Sequence, residues 1–130
     1  MRRALFLVLT LGCAPLVAQA FTAQNGMTVE QTNATDLAVR YHGRADDTDY
    51  WCAAGDYAVR ALRLGNKTRI YRATAQPRKA GQGILFTLDP ARKADGAGIS
   101  SFGSGPNDGS LSIGQAVGSY CRTYIWRPFD

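Results

Sequence analysis

The sequence has one histidine and three cysteines in 130 residues, which limits the chemistry open to it. Any mechanism that needs an imidazole has to use His42, and no serine lies in the Gly-x-Ser-x-Gly turn that exposes a nucleophile. No Cys-x-x-Cys pair is present, which is the spacing typical of redox-active and zinc-binding thiols. These absences leave a small hydrolase that uses His42 as the one enzymatic alternative, and we predict no catalytic site.

Cofactor and metal motifs are also missing. The glycine-rich stretch 103–109 lacks the Gly-x-Gly-x-x-Gly spacing, and no strand–helix–strand unit with an acidic ribose ligand surrounds it. The aspartates Asp46, Asp47 and Asp49 lack the ligand spacing and the final glutamate of an EF-hand calcium loop. Helix capping explains these carboxylates, so we predict no cofactor and no metal.

A long apolar run occurs only at the N-terminus, where residues 4–17 follow two arginines. This run is too short to anchor the chain across about 30 Å of hydrocarbon. The following Ala18-Gln19-Ala20 has the small-x-small pattern of a signal peptidase site. We therefore predict that residues 1–20 are a signal peptide cleaved after Ala20, and that residues 21–130 form a single periplasmic or secreted domain.

Cleavage would also remove one of the three cysteines, because Cys13 lies in the leader. Leu11-Gly12-Cys13 is similar to a lipoprotein signal, although Thr10 stands where that pattern has an aliphatic residue, and a lipoprotein acylated at Cys13 is the alternative. The mature chain keeps Cys52 and Cys121 in a compartment where disulfides persist. We predict that these two cysteines pair.

Acidic residues are absent between Asp56 and Asp89, although seven lysines and arginines lie there. Loss of Arg2 and Arg3 with the leader lowers the net charge of the chain from +5 to about +3, so the cationic character is concentrated in this segment. Such a segment favours an anionic envelope component or another periplasmic protein as the partner. No basic run with interleaved aromatics marks a nucleic-acid module. The residues predicted to bind the anionic partner are Arg60, Arg63, Lys67, Arg69 and Arg72.

Hydrophobic periodicity predicts an α+β domain, in which an antiparallel sheet of short strands packs against one main helix. Asp46-Asp47-Thr48 supplies helix-start chemistry and Gly65 supplies a stop, which places this helix at about 48–63. Small residues in its apolar stripe permit close approach to a sheet. The stripe consists of Trp51, Ala54, Gly55, Ala58, Val59 and Leu62.

Short runs with strand character complete the sheet. After a polar, mobile start to the mature chain, strands at 27–30 and 37–41 are predicted to form one hairpin. Strands at 68–74 and 84–88, separated by a polar loop with proline and glycine, are predicted to form a second hairpin.

The last third of the chain is rich in glycine, serine and aspartate up to residue 109. We predict that residues 90–109 are the most mobile part of the domain, apart from an extended segment at 99–102. A short second helix at about 112–120 then brings Cys121 back to the main helix, and residues 122–126 form an edge strand.

Three sequence blocks resemble a group of short exported proteins from alphaproteobacteria whose function is unknown. They are Asp49-Tyr50-Trp51-Cys52-Ala53-Ala54-Gly55-Asp56-Tyr57, Thr68-Arg69-Ile70-Tyr71-Arg72 and Ser119-Tyr120-Cys121-Arg122. The resemblance implies a periplasmic location and assigns no functional residue.

These observations favour a non-enzymatic binding or envelope-accessory protein. Its partner would contact the cationic segment or exposed aromatic residues such as Tyr57 and Tyr71. One alternative is an inhibitor of a secreted enzyme that uses residues 90–109 as a protruding loop. The other is the hydrolase that depends on His42.

Overall fold

The computed structural model describes residue 12, residues 20–95 and residues 109–121. These residues form a small α+β domain, as the periodicity predicts. Among them, no helix is long and apolar enough to cross a membrane. The strands are β1 (Phe21–Thr22), β2 (Thr28–Gln31), β3 (Asp36–Val39), β4 (Arg69–Arg72), β5 (Ile84–Thr87) and β6 (Ser110–Ser112), and the helices are α1 (Asp47–Arg60) and α2 (Ile113–Tyr120).

The six strands form one sheet in the order β1-β2-β3-β5-β4-β6, and every neighbouring pair is antiparallel. Both predicted hairpins are present, as β2 with β3 and β4 with β5. They join through β3 and β5, where Val39 lies opposite Ile84 and Leu37 lies opposite Phe86. This contact places the apolar residues of both hairpins on the same side of the sheet, because side chains alternate along each strand.

Helix α1 lies on that apolar face, and its Trp51 ring packs edge-on against Phe86 at a centroid distance of 4.7 Å. Burial is wider than the predicted stripe, because every residue from Tyr50 to Ala58 is buried. Helix α2 covers the second side of α1. A Cβ atom at Gly55 would lie only 3.0 Å from Cβ of Ala116, so the small residues of α1 permit close approach to α2.

The predicted disulfide is present. Cys52 in α1 and Cys121 directly after α2 are joined, with their Cα atoms 5.0 Å apart. Both residues are buried. The bond therefore fixes the short second helix against the main one, as the position of Cys121 in the sequence predicts.

Two details of the predicted elements are wrong. Helix α1 ends at Arg60, and the left-handed residue that follows is Arg63, with φ 57°, rather than Gly65. The amide of Leu64 donates to the carbonyl of Ala58 at 3.0 Å, which turns the chain before it reaches the glycine.

Residues 21–24, predicted to be mobile, instead form a strand and contact α1. Phe21 and Thr22 form β1, and the backbone amide of Gln24 donates to the Asp56 carboxylate at 2.8 Å. Polar residues there bind α1: Gln24 donates to Asp56, and the Asn25 side chain donates to the carbonyl of Asp49 at 2.8 Å. The predicted extended segment at 99–102 and the edge strand at 122–126 lie outside the described residues, as does Cys13.

Gly83, directly before β5, is the glycine of the described chain at which an added Cβ atom would meet backbone most closely. A Cβ atom there would lie 2.2 Å from the Val39 carbonyl oxygen and 3.0 Å from the Tyr41 nitrogen. We expect Gly83→Ala to lower the free energy of unfolding by about 2 to 3 kcal/mol, because strand backbone cannot move aside as a flexible side chain does. Gly65→Ala is the control, since no atom lies within 4 Å of its added methyl group. Thermal unfolding of both variants checks this, and equal stabilities would contradict it.

Candidate functional site

The five predicted anion-binding residues lie at two different ends of the molecule. Arg60 ends α1 and Arg69 begins β4, whereas Arg72 ends β4 beside the first turn of α1. A helix of 14 residues is about 20 Å long, so Arg60 and Arg72 are separated by roughly that distance. Arg69 and Arg72 are only three positions apart in β4, about 10 Å, but their side chains lie on opposite faces of the sheet. The cationic segment is therefore not one continuous surface.

We call the first group, Arg60, Arg63, Lys67 and Arg69, the cationic end. The loop that carries it passes over the start of α2, where the amides of Ile113 and Gly114 donate to the carbonyls of Thr68 and Asn66, each at 2.9 Å. These bonds satisfy amides that lack partners in the first turn of any helix. They also hold the backbone of the cationic end in place.

Within the cationic end, Arg60 contributes no net charge because it forms an ion pair with the buried Asp56. Its guanidinium also lies over the Phe21 ring, 4.7 Å from the centroid. Arg69 donates to the hydroxyl and carbonyl oxygens of Ser110, at 2.7 and 3.2 Å.

The remaining two cations at this end, Arg63 and Lys67, are exposed. Neither they nor Arg69 form an ion pair with any residue that the structure describes. Within the described part of the chain, three cations without an ion-pair partner therefore lie in residues 63–69, which are the end of the anchored loop and the first residue of β4.

Arg72 corrects the sequence prediction, because its side chain is 0% exposed. Alternation along β4 places it on the same face as Ile70, under α1. Its guanidinium donates to the Asp47 carboxylate at 2.7 Å and to the Thr74 carbonyl at 2.7 Å. A buried cation needs such a partner, so Arg72 has a structural role and does not reach an external ligand.

Asp47 is the centre of a second arginine contact that the sequence did not reveal. Arg78 donates to its other carboxylate oxygen at 3.0 Å, and the Arg78 guanidinium lies 4.4 Å from the centroid of the Tyr50 ring. Burial raises the pKa of Asp47, but the hydrogen bonds and positive charges of Arg72 and Arg78 outweigh it and hold the pKa below its ordinary value. Helix capping, predicted for all three aspartates, is carried out by Asp46 and Asp49, whose side chains accept from each other's backbone amides in a capping box.

Asp36 is a second carboxylate with this behaviour. It is almost completely buried in β3. Burial raises its pKa, but hydrogen bonds from Asn33, Thr87 and Thr35 and the charge of Arg92 together lower it below the ordinary value. The folded protein therefore stabilises the charged form of both carboxylates more than water does.

Acidification is expected to destabilise the fold through these two carboxylates. Because their pKa values are lower in the folded than in the unfolded protein, their stabilisation is complete above the ordinary aspartate pKa of about 4 and is lost as the pH falls further. Urea unfolding at a series of pH values should show a decline below about pH 4 that is shallower in Asp36→Asn and Asp47→Asn. The exposed Asp95 provides the control, and an equally shallow decline in Asp95→Asn would contradict the assignment.

The other candidate residues are placed as follows. His42 is exposed, and its imidazole makes no hydrogen bond to any residue in the described part of the chain; its backbone amide donates to the Tyr50 hydroxyl at 3.1 Å. The Asp47 carboxylate, close to His42 in sequence, accepts hydrogen bonds from Arg72 and Arg78. Tyr57 is only 8% exposed and packs edge-on against Phe21, so it is not the exposed aromatic that was predicted, and Tyr71 is half-buried.

No His, Cys, Asp or Glu cluster within residues 20–95 and 109–121 has the arrangement of a metal site.

Comparison with known proteins finds no match to a protein-family model, to a curated protein or to a solved structure. The candidate surfaces are therefore those at the two ends of α1.

Proposed function

We propose that this protein is an exported, non-enzymatic binding protein that attaches to an anionic lipid surface through its cationic end. The observation that carries the proposal is the set of three cations without an ion-pair partner among the described residues, Arg63 and Lys67 on a loop whose backbone is bonded to α2 and Arg69 at the start of β4. A fixed backbone reduces the entropy lost on binding. Only the side chains have to become ordered.

The strength of such an attachment follows from its charges. Each lysine or arginine near an anionic lipid surface contributes about 1 kcal/mol, so three give about 3 kcal/mol. The Debye length is about 8 Å at physiological ionic strength, and exposed charges are screened beyond it. The expected interaction is therefore weak, reversible and sensitive to salt.

Export is supported by two features of the described fold. The disulfide between Cys52 and Cys121 is of a kind that persists in oxidising compartments. The first strand begins at Phe21, so cleavage after Ala20 would remove no residue of the sheet. A leader on residues 1–20 is thus compatible with a complete mature domain.

The test compares two double variants of residues 21–130 that have the same net charge. Arg63→Gln/Lys67→Gln removes two cations from the cationic end, and Lys79→Gln/Lys93→Gln removes two exposed cations elsewhere. With vesicles of equal parts phosphatidylglycerol and phosphatidylcholine at about 20 mM salt, we expect the first variant to bind about thirty-fold more weakly than wild type, and the second to change by less than about three-fold. Raising the salt to about 500 mM should remove wild-type binding.

The result that contradicts the proposal is an equal loss in both variants, which would mean that net charge alone governs adsorption. Absence of wild-type binding at low salt would also contradict it. Circular dichroism of each variant verifies that the exposed substitutions leave the fold intact.

A second candidate is the enzyme inhibitor, which one observation favours. Both ends of the 95–108 segment are bonded to the backbone of a single residue, Arg72: its amide donates to the Gly109 carbonyl at 3.2 Å, and its carbonyl accepts from the Ala94 amide at 2.9 Å. Residues 96–108 themselves lie outside the described part. Replacing them with a short Gly-Ser linker should abolish inhibition of a secreted protease such as trypsin without lowering the melting temperature. Retained inhibition would exclude this loop.

A further inference from the structure

A groove of about 590 Å³ lies at the opposite end of α1 from the cationic end. Its volume is within the range of small-molecule sites, about 300 to 1,000 Å³. Three separate parts of the chain form it: the second residue after β3, the first turn of α1 and the loop between β4 and β5. We call it the Tyr41 groove. It is lined by Tyr41, Asp47, Gln76, Pro77, Arg78, Lys79, Ala80 and Gly81.

The base of the Tyr41 groove is fixed by Arg78. Besides its bond to Asp47, the guanidinium donates to the Tyr50 hydroxyl at 3.1 Å and to the Gln82 carbonyl at 3.3 Å, and it lies over the Tyr50 ring. These contacts fasten the loop to α1. A ligand therefore meets a largely preformed surface, and little ordering cost opposes binding.

One wall of the groove is an aromatic ring that the described residues cover only in part. Tyr41 is 50% exposed and is the exposed large hydrophobic residue of the described chain. The tight approach of Gly83 to the Tyr41 backbone nitrogen fixes the position from which this ring projects. An exposed ring held in this way provides a flat surface on which another ring can stack.

Polar groups with different roles surround this ring. Lys79 is exposed and forms no ion pair with the described residues, so its ammonium group can pair with a ligand anion. The Asp47 side chain is 39% exposed while its charge is balanced by two arginines, so its carboxylate can accept hydrogen bonds from hydroxyl groups. The amide of the exposed Gln76 can both donate and accept.

We propose that the Tyr41 groove binds a short acidic saccharide, with one sugar ring on the Tyr41 face, its carboxylate on Lys79 and its hydroxyls on Asp47 and Gln76. A purely aromatic acid would fill the apolar wall but offer no hydroxyl to the exposed part of the Asp47 carboxylate, whose two oxygens already accept from Arg72 and Arg78. A neutral sugar would offer the exposed Lys79 ammonium no anionic partner. A hydroxylated ring that carries one carboxylate satisfies both groups.

The inference does not depend on the lipid-binding proposal, because the two sites lie at opposite ends of α1 and share no residue. The experiment is an NMR titration of ¹⁵N-labelled residues 21–130 with D-glucuronate, D-glucose and benzoate in parallel. We expect saturable shifts of the amides of Tyr41, Lys79 and Gly81 with glucuronate. Glucose should bind at least about ten-fold more weakly, and benzoate should also bind more weakly than glucuronate.

Variants separate the two contacts. Tyr41→Ala should abolish saturable binding of both sugars, whereas Lys79→Gln should remove the preference for glucuronate over glucose. Lys93→Gln, the same change of charge outside the groove, should leave the titration unchanged. Both groove residues are exposed, and the amide spectrum itself reports whether each variant is folded.

Three outcomes would overturn the inference. They are the absence of saturable shifts with glucuronate up to about 10 mM, tighter binding of benzoate than of glucuronate, and shifts centred on Arg63 and Lys67. The last outcome would assign the sugar acid to the cationic end and leave the lipid-surface proposal standing. Loss of vesicle binding with a normal sugar titration would do the reverse.

Discussion

Asp47→Ala is expected to lower the free energy of unfolding by about 3 kcal/mol, although it changes a side chain that is only partly buried. The cost arises at Arg72, which is 0% exposed and would keep its charge without a carboxylate partner. Breaking a fully buried ion pair in this way costs about 3 to 5 kcal/mol. We take the lower end because Asp47 is 39% exposed, so water can reach the space that its carboxylate leaves.

The neighbouring aspartate provides the control. Asp46 caps α1 and forms no ion pair with the described residues, so Asp46→Ala should cost about 1 kcal/mol. Asp47→Ala/Arg72→Met should recover most of the stability lost by Asp47→Ala alone, because the buried charge is then absent. Urea unfolding gives the free energy of unfolding of the two single variants and the double variant. Equal costs for Asp46→Ala and Asp47→Ala would show that Arg72 does not depend on its carboxylate.

Removal of the disulfide by Cys52→Ala/Cys121→Ala is expected to lower the free energy of unfolding by about 4 kcal/mol. The two cysteines are 69 positions apart in sequence, and closing a loop of this size restricts the unfolded chain by about that amount. The free energy of unfolding of a small domain is about 5 to 15 kcal/mol in total. The double variant should therefore unfold at a clearly lower urea concentration, with α2 as the element most affected.

Mass spectrometry and unfolding together check this expectation. The mature protein should begin at Phe21 and contain no free thiol under denaturing, non-reducing conditions. Reduction of the wild type should reproduce the stability of the double alanine variant. Wild type and variant that unfold at the same urea concentration would contradict a stabilising role for the bond.

Local patterns in the sequence were sufficient to predict the main strands, the two helices and the disulfide. Alternation of Leu37 and Val39 marks a strand with one buried face, and the aspartates before Trp51 mark a helix start. The cysteine pair followed from the prediction that cleavage removes Cys13. The strand and helix predictions use residues that are close in sequence. The disulfide prediction uses two cysteines that can pair in only one way.

Long-range placement could not be derived in the same way. Nothing near Arg72 shows that Asp47, 25 positions earlier, would balance its charge in the core. Nothing near Tyr57 shows that Phe21 would cover it. The pairing of β3 with β5 joins the two hairpins into one sheet. This pairing places Arg72 under α1, and it brings together the three segments that form the Tyr41 groove. The one available signal was the alternation from Ile70, which places Arg72 on an apolar face.

We propose above all that the cationic end is the surface that meets an anionic partner. Hydrogen exchange of residues 21–130, with and without phosphatidylglycerol-containing vesicles at low salt, tests this most directly. We expect protection to increase at the amides of residues 61–69 and the start of α2, while α1 and the Tyr41 groove are unchanged. Protection confined to the Tyr41 groove, or no protection anywhere, would contradict it.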